Sequence, residues 1–250
     1  MNKKVSIVAL IPARSSSKRI KDKNIKLLNG HPLIAYTISA AIDSGVFGDV
    51  IVSTDSEKYK VIAEYYGASV FLRPEKFSGD NSPDIEWVTY TLSELMNEEK
   101  NFEFFSILRP TSPFRTPQTI IRALNTFLKF NDADSLRAVE ICAQHPGKMW
   151  QIKDDKMTPI MDGNINGVPW HSCQFSSLPD VYVQNASLEI AKTSVALEKK
   201  SISGEKIIPF ITAEFEGYDI NRTKDWVYAE YLAKKNKHLF LNINMKPYNS

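Results

Sequence analysis

Residues 5–24, VSIVALIPARSSSKRIKDKN, constrain the fold more than any other stretch of the chain. The run from Val5 to Ile11 is apolar and rich in β-branched side chains. A run so short and so apolar reads as a strand buried on both faces, and Pro12 stops it. Behind it come Ser15, Ser16 and Ser17, enclosed by Arg14, Lys18, Arg19, Lys21 and Lys23. Small hydroxyl residues let backbone N–H groups approach an anion, and the cations offset its charge. The loop is therefore a candidate polyphosphate site. The plainer alternative is a solvated basic turn, since clustered charges are most often ordinary surface.

The next segments repeat the pattern. Asn29-Gly30 makes a turn, and Ile34, Ile38, Ala41 and Ile42 recur at helical spacing before Gly45 ends that helix. Val50 to Val52 is a second buried strand, ending in Ser53-Thr54-Asp55. A helix follows over 56–66, with Val61, Ile62 and Tyr65 facing inward, and 68–72 is the next strand. Strand, helix, strand, helix, strand predicts right-handed parallel crossovers and a doubly wound α/β sheet. Ligands of such sheets bind beyond the carboxyl ends of the strands, where every polar cluster named here falls.

The loop opened by Arg73-Pro74 and holding Ser78, Gly79, Asp80, Asn81 and Ser82 is too long and polar for a minimal connection. Pro83 suits the first turn of a helix reaching about Asn97. Phe104 to Leu108 is another buried strand, ending in Arg109-Pro110-Thr111-Ser112-Pro113-Phe114-Arg115. Thr116-Pro117 caps a helix with Ile121, Leu124 and Leu128 on its apolar face. Strands follow over 135–142, around Gln184-Asn185 within 181–191, and over 207–211. A last helix spans about 223–235, and the tail over 236–250 carries Leu239-Phe240-Leu241 without a clear plan.

Between about 145 and 180 the periodicity fails, and Gly, Pro, Trp and His are scattered among short runs. This segment reads as an insertion of short strands. Its aromatic residues suit a subunit or ligand interface or, equally, a small satellite core.

At 250 residues, 43% hydrophobic and 24% charged, the chain is long and apolar enough for one large α/β domain. The net charge of +2 gives no general attraction to nucleic acid or membranes. Cys142 and Cys173 form neither a metal-ligand spacing nor a disulfide framework, which suits a reducing compartment. Lys3 and Lys4 precede an apolar run too short for a signal peptide or a span, so a cytoplasmic protein is expected. A phosphate-binding loop and the later carboxylate Asp219 are parts of a Mg²⁺-dependent nucleotidyl transfer. Asp219 reads equally as an ordinary residue leading into a helix.

Ile11-Pro12-Ala13-Arg14 with Ser17-Lys18 and Lys23-Asn24 resembles the signature loop of the acylneuraminate cytidylyltransferase family, the CMP-sialic acid synthetases and their bacterial relatives. Val52-Ser53-Thr54-Asp55, Arg73-Pro74 with Asp80 and Ser82, Pro110 to Pro113 with Arg115, Gln184-Asn185 and Asp219-Ile220 recur in the family's order. The resemblance runs from residue 5 to about 235. It implies a Rossmann-like nucleotidyltransferase sheet, one domain over 1–250, with the 145–180 insertion as a dimerisation segment. It implies activation of a nine-carbon, sialic-acid-like sugar by CTP, giving CMP-sugar and pyrophosphate, with Mg²⁺ as cofactor and a homodimer as the working form. By the same resemblance, Arg14 and Lys23 are catalytic. Ala13, Arg14, Ser17, Lys18 and Asn24 hold the phosphates and position the nucleotide. Arg73 and Ser82 face the cytosine, and Asp80 organises their loop. Arg109, Thr111, Ser112, Arg115, Gln184 and Asn185 serve the sugar, and Asp219 binds the metal.

Four departures separate this chain from the family pattern. Ser15 and Ser16 stand where the family has glycines, which reduces backbone freedom. Arg109 replaces a glutamine before the Pro-Thr-Ser-Pro run. Asn221 replaces a second aspartate, leaving a neutral oxygen. Residues 174–179, Gln-Phe-Ser-Ser-Leu-Pro, lack the arginine that in the family pairs with the sugar carboxylate, which leaves Arg109 to replace it from another direction. Two other readings stay open: a same-fold nucleotidyltransferase acting on another sugar or a sugar 1-phosphate, and a non-catalytic nucleotide-binding relative.

Overall fold

The structure, a computed structural model, describes residues 5–79, 81–236 and 239–248. Lys3, Lys4 and Asp80 lie outside the described residues. Seven strands form the main sheet: β1 Ile7–Pro12, β2 Asp49–Thr54, β3 Ser69–Leu72, β4 Phe104–Ile107, β5 Ser135–Ile141, β6 Tyr182–Lys192 and β7 Ile207–Ile211. Around them lie α1 Leu33–Ser44, α2 Glu57–Tyr65, α3 Asp84–Asn97, α4 Pro117–Phe127, α5 Thr193–Leu197 and α6 Thr223–Lys235. The strand order is β7-β5-β6-β4-β1-β2-β3. β1 runs parallel to both β2 and β4, and β2 is parallel to β3. β6 pairs antiparallel with β4, so the sheet is mixed where uniform parallel crossovers were expected.

β1 is buried because neighbours flank it and helices cover both its faces. Alternate side chains of a strand point to opposite faces. Ile7, Ala9 and Ile11 pack into one core with residues of α1, α2, α4 and α6. Val8 and Leu10 pack into a second core with Trp87, Val88, Leu92 and Leu95 of α3. An uninterrupted apolar run is what such a position demands. From β1 the chain passes to β2 and β3 on one side, and then crosses through α3 to β4 on the other side of β1. The crevice beyond its carboxyl end is thus a topological switch point, the usual ligand position in such sheets.

Local signals place the element ends. Asn29 and Gly30 both have positive φ, 47° and 92°, and turn the chain between Leu28 and His31 as a tight hairpin requires. Thr116 caps α4 by accepting from the Thr119 amide at 3.2 Å. Two helices are rotated from the expected register. In α2, Tyr59, Ile62, Ala63 and the following Tyr66 are buried, whereas Val61 and Tyr65 are exposed. In α4 the buried stripe is Ile120, Ala123, Leu124 and Phe127, and Leu128 is exposed. Each stripe follows the i, i+3, i+4, i+7 rule. In each, a fully buried alanine makes up part of the stripe and hides the true phase from a reading by large residues.

The chain divides into two compact units, one built from the chain up to Ala138 and from Asn185 onward, the other Val139–Gln184. The second unit contains the expected insertion. Inside it, His145 stands edge-on to Trp170 and Phe175. Its Nδ1 accepts from the Gly147 amide at 2.9 Å and its Nε2 donates to the Pro179 carbonyl at 3.0 Å, which fixes a neutral tautomer. These rings contact one another, with His145 buried and Phe175 exposed. The hairpin of Trp150–Lys153 and Lys156–Pro159 leaves Ile152 and Met157 exposed.

Ile62 is 3% exposed and Val61 49%. Ile62→Ala is expected to lower the unfolding free energy by about 2–5 kcal/mol. Val61→Ala is expected to change it by less than about 0.5 kcal/mol. Urea denaturation of the two variants checks the phase of α2.

Candidate active site

The basic loop leaves the end of β1 already fastened. The Ala13 amide donates to the Ser53 carbonyl at 2.9 Å, and Thr54 Oγ1 donates to the Ala13 carbonyl at 2.7 Å. Asp55 Oδ1 then accepts from the Ser15 amide at 2.7 Å. Asp55, expected as part of a family motif, directly follows β2 beside the loop. Asn24 is buried and donates from Nδ2 to the Arg14 carbonyl at 3.2 Å, closing the loop on itself. Ser15, Ser16 and Ser17 are not among the described residues with positive φ. Serine therefore meets no left-handed backbone penalty where the family carries glycine.

Lys23 reaches across to the end of the chain, donating from Nζ to the Ile220 carbonyl at 2.8 Å. Burial lowers its pKa, and Arg19 and Arg14 act in the same direction, while Asp219 opposes them. The loop bearing Asp219 is held at several points. The Ile220 amide donates to the Thr111 carbonyl at 2.9 Å. Asp225 Oδ2 accepts from the Asn221 and Arg222 amides at 3.0 and 2.7 Å. Glu216 clasps Thr119 and Arg122 of α4. Asn221 Nδ2 donates to Asp219 Oδ2, whereas Asp219 Oδ1 is buried without a hydrogen-bond partner among the described residues.

A cleft of about 310 Å³ opens beyond β1 and β4. Arg14, Ser17, Lys23, Asn24, Arg73, Ser82, Arg109 and Thr111 line it, with Phe77, Asp84 and Trp87. An adjoining hollow is lined by Arg14, Ser17, Lys18, Arg19, Lys23 and Asn221. Most of the expected nucleotide residues thus converge. Arg73 is buried, donates to the Ser53 carbonyl at 3.1 Å, and lies 5.5 Å from the Trp87 ring centre. Burial pushes its pKa down to about 10, so it stays charged at neutral pH. Ser82 Oγ donates to the Lys76 carbonyl at 3.1 Å and steadies the loop beside it.

The expected sugar residues divide. Arg109 and Thr111 face the cleft. Ser112 and Arg115 are buried, at 1% exposure each, and do not line it. Arg115 donates to the Ser187 carbonyl, to Thr37 Oγ1 at 2.8 Å and to the Arg109 carbonyl at 3.3 Å, which ties β6, α1 and the loop after β4 together. Burial lowers its pKa to about 9. Asn185 Nδ2 donates to Thr212 Oγ1 at 2.9 Å, away from the cleft lining. Gln184 belongs to the second unit and is exposed. Sequence reasoning passed over Asp84 and Glu189, which bind Arg109 at 2.6 and 3.1 Å. The signal for Asp84 was its place at the first turn of α3, where an acid is favoured. Glu189 gave a clearer one, as a charge inside an apolar strand.

Cations backed by small residues, a carboxylate near a half-buried lysine, and a mixed Rossmann-like sheet are the features of a nucleotidyltransferase. The chain belongs to the cytidylyltransferase family, whose profile matches residues 8–157. It is 33% identical over 96% of its length to an N-acylneuraminate cytidylyltransferase of Escherichia coli, spanning 56% of that protein. It is 33% identical over 92% of its length to a CMP-N,N'-diacetyllegionaminic acid synthase of Legionella pneumophila, spanning 97% of it. The chain thus spans about half the length of the first relative and nearly all of the second. Its fold is shared with a CMP:2-keto-3-deoxy-manno-octonic acid synthetase solved with CTP, at TM-score 0.68 and 12% identity, covering 92% of this chain and 99% of that one. A 4-diphosphocytidyl-2C-methyl-D-erythritol synthase of Anaerococcus prevotii shares it too, at TM-score 0.60 and 14% identity, covering 93% and 100%.

Burial raises the pKa of Asp84, but pairing with Arg109 and hydrogen bonds from Arg109 and Trp87 outweigh it and hold the carboxyl below its ordinary value. A carboxyl depressed by folding stabilises the native state above its unfolded pKa, and that contribution is lost as pH falls through the folded pKa. Wild-type stability is expected to begin falling near pH ~4 and to continue below it, whereas Asp84→Asn flattens this slope. Urea midpoints from pH 6 to 3 measure the difference.

Proposed function

We propose that the protein transfers CMP from CTP to a nine-carbon, sialic-acid-like sugar acid and releases pyrophosphate. The observation that carries this reading is one cleft with the basic loop on one wall and Asp84, Arg109 and Thr111 on the other. The names of the two curated relatives, both acting on sugar acids, favour this substrate class over a sugar 1-phosphate. Arg14, Ser17 and Lys18 hold the triphosphate. Lys23, kept in place by the Ile220 carbonyl, lies at the α-phosphate and offsets charge there as the bond to pyrophosphate breaks. Asn24 fixes the loop that positions the nucleotide, and Arg73 with Ser82 bounds the cytosine. The anomeric hydroxyl of the sugar attacks the α-phosphorus, so no covalent enzyme intermediate is required. Positioning and charge neutralisation supply the acceleration.

The donor set fits one Mg²⁺. The partnerless buried Oδ1 of Asp219 is a free anionic ligand, and Mg²⁺ is commonly held by one or two carboxylates plus substrate phosphates. Asp219 would hold the ion, which would supply charge neutralisation for the phosphates. Asn221 orients Asp219 through its amide. The exposed apolar residues of the insertion hairpin support a homodimer through the second unit. No helix among the described residues is long and apolar enough to cross a membrane. The two free cysteines support a cytoplasmic setting, with neither nucleic acid nor membrane as a partner.

Pyrophosphate release from CTP is expected with N-acylneuraminic or diacetyllegionaminic acid, and not with sugar 1-phosphates or with GTP. Product from a sugar 1-phosphate would transfer the reading to another sugar, and no product from any pair would leave a binding protein. Asp219→Asn is expected to lower kcat by at least about 100-fold and to abolish its dependence on Mg²⁺. Full Mg²⁺-dependent turnover in that variant would remove Asp219 from the metal site.

A further inference from the structure

At the carboxyl end of β4, Asp84, Arg109, Glu189 and Arg137 form a row of alternating charge. Arg109 Nη2 lies 2.6 Å from Asp84 Oδ2 and 3.1 Å from Glu189 Oε1, and Arg137 pairs with Glu189 Oε2. The four charges cancel. Both acids take the same nitrogen of Arg109. Its Nη1 and Nε make no hydrogen bond among the described residues, yet neither is sealed from solvent. Arg109 therefore keeps donors for something in the cleft it lines.

The other cations of that cleft are engaged elsewhere. Arg14 and Lys23 belong to the basic loop, and Arg73 is held by the Ser53 carbonyl beside Trp87. We infer that Arg109 reads the carboxylate of the sugar, and that Asp84 and Glu189 are the positioning residues that fix it for this task. The inference rests on the sugar-acid reading above and specifies how the acid is recognised. Two acids on one nitrogen hold the guanidinium rigid and permanently ionised. They also set the charge that the site accepts. A single carboxylate meets the open donors, whereas a phosphate dianion meets the negative charge of Asp84 as well. A neutral residue at 109 would leave Asp84 and Glu189 against Arg137 alone, a net negative wall facing an anionic substrate.

The test uses whichever of N-acylneuraminic or diacetyllegionaminic acid is turned over, with its carboxamide as a neutral isostere. Wild type is expected to prefer the acid over the amide by at least about tenfold in kcat/KM. Arg109→Gln is expected to raise the KM for the acid by at least about tenfold, to leave the KM for CTP within about twofold, and to bring the acid-to-amide ratio near one. The double variant Asp84→Asn with Arg109→Gln restores charge balance, so it recovers part of the KM for the acid without recovering the preference. It also serves if the single variant fails to fold. Turnover in wild type with the preference intact in these variants would overturn the role of Arg109. No wild-type turnover of any sugar acid would instead overturn the reading on which it rests.

Discussion

The burial of β1 on both faces governs the rest of the structure. A strand with helices on each side and a parallel strand along each edge has no polar surface of its own. Every group with chemistry to perform must lie past its end, where Pro12 releases the chain. The same strand separates the two cores, one built on α1, α2, α4 and α6 and one on α3. The crevice between the diverging connections is therefore a result of packing, and the basic loop falls into it without a dedicated scaffold.

What makes that loop a site is its fastening. Its serines and cations become an organised wall because Ser53, Thr54 and Asp55, at the end of the neighbouring strand, take its backbone groups. Each bond satisfies a main-chain group that would otherwise be left unpaired near the core, so folding and preorganisation are one event here. The opposite wall is fastened by charge. Arg109 between Asp84 and Glu189 joins α3, the end of β4 and β6, and Arg115 joins the same loop to α1 through neutral acceptors.

Much of this was legible in the sequence because its signals are local. Strand ends, the Thr116 cap, the Asn29-Gly30 turn and the clustering of cations after an apolar run depend on neighbours in the chain, and they appear where expected. The motifs of the nucleotide side converge for the same reason, since they sit at the ends of successive strands. The phases of α2 and α4 were misread because Ala63 and Ala123, small but fully buried, carry part of each inward stripe. The antiparallel entry of β6 left no trace, since strand direction is set by which partner is reached and not by composition. Arg115 was read as a substrate residue because it was carried over with the family motif of Pro110 to Pro113. Its burial against backbone carbonyls depends on α1 and β6, which lie far away in the sequence.

The bond from Lys23 to the Ile220 carbonyl spans 197 positions of the chain. The basic loop is therefore synthesised long before the segment that gives its lysine an acceptor. A nascent chain that has emerged only as far as β7 carries the basic loop and its Asp55 fastening, yet lacks the carbonyl for Lys23 and the carboxylate opposite it. Anchoring of the loop's lysine is thus tied to synthesis of the segment around residue 220, by topology alone.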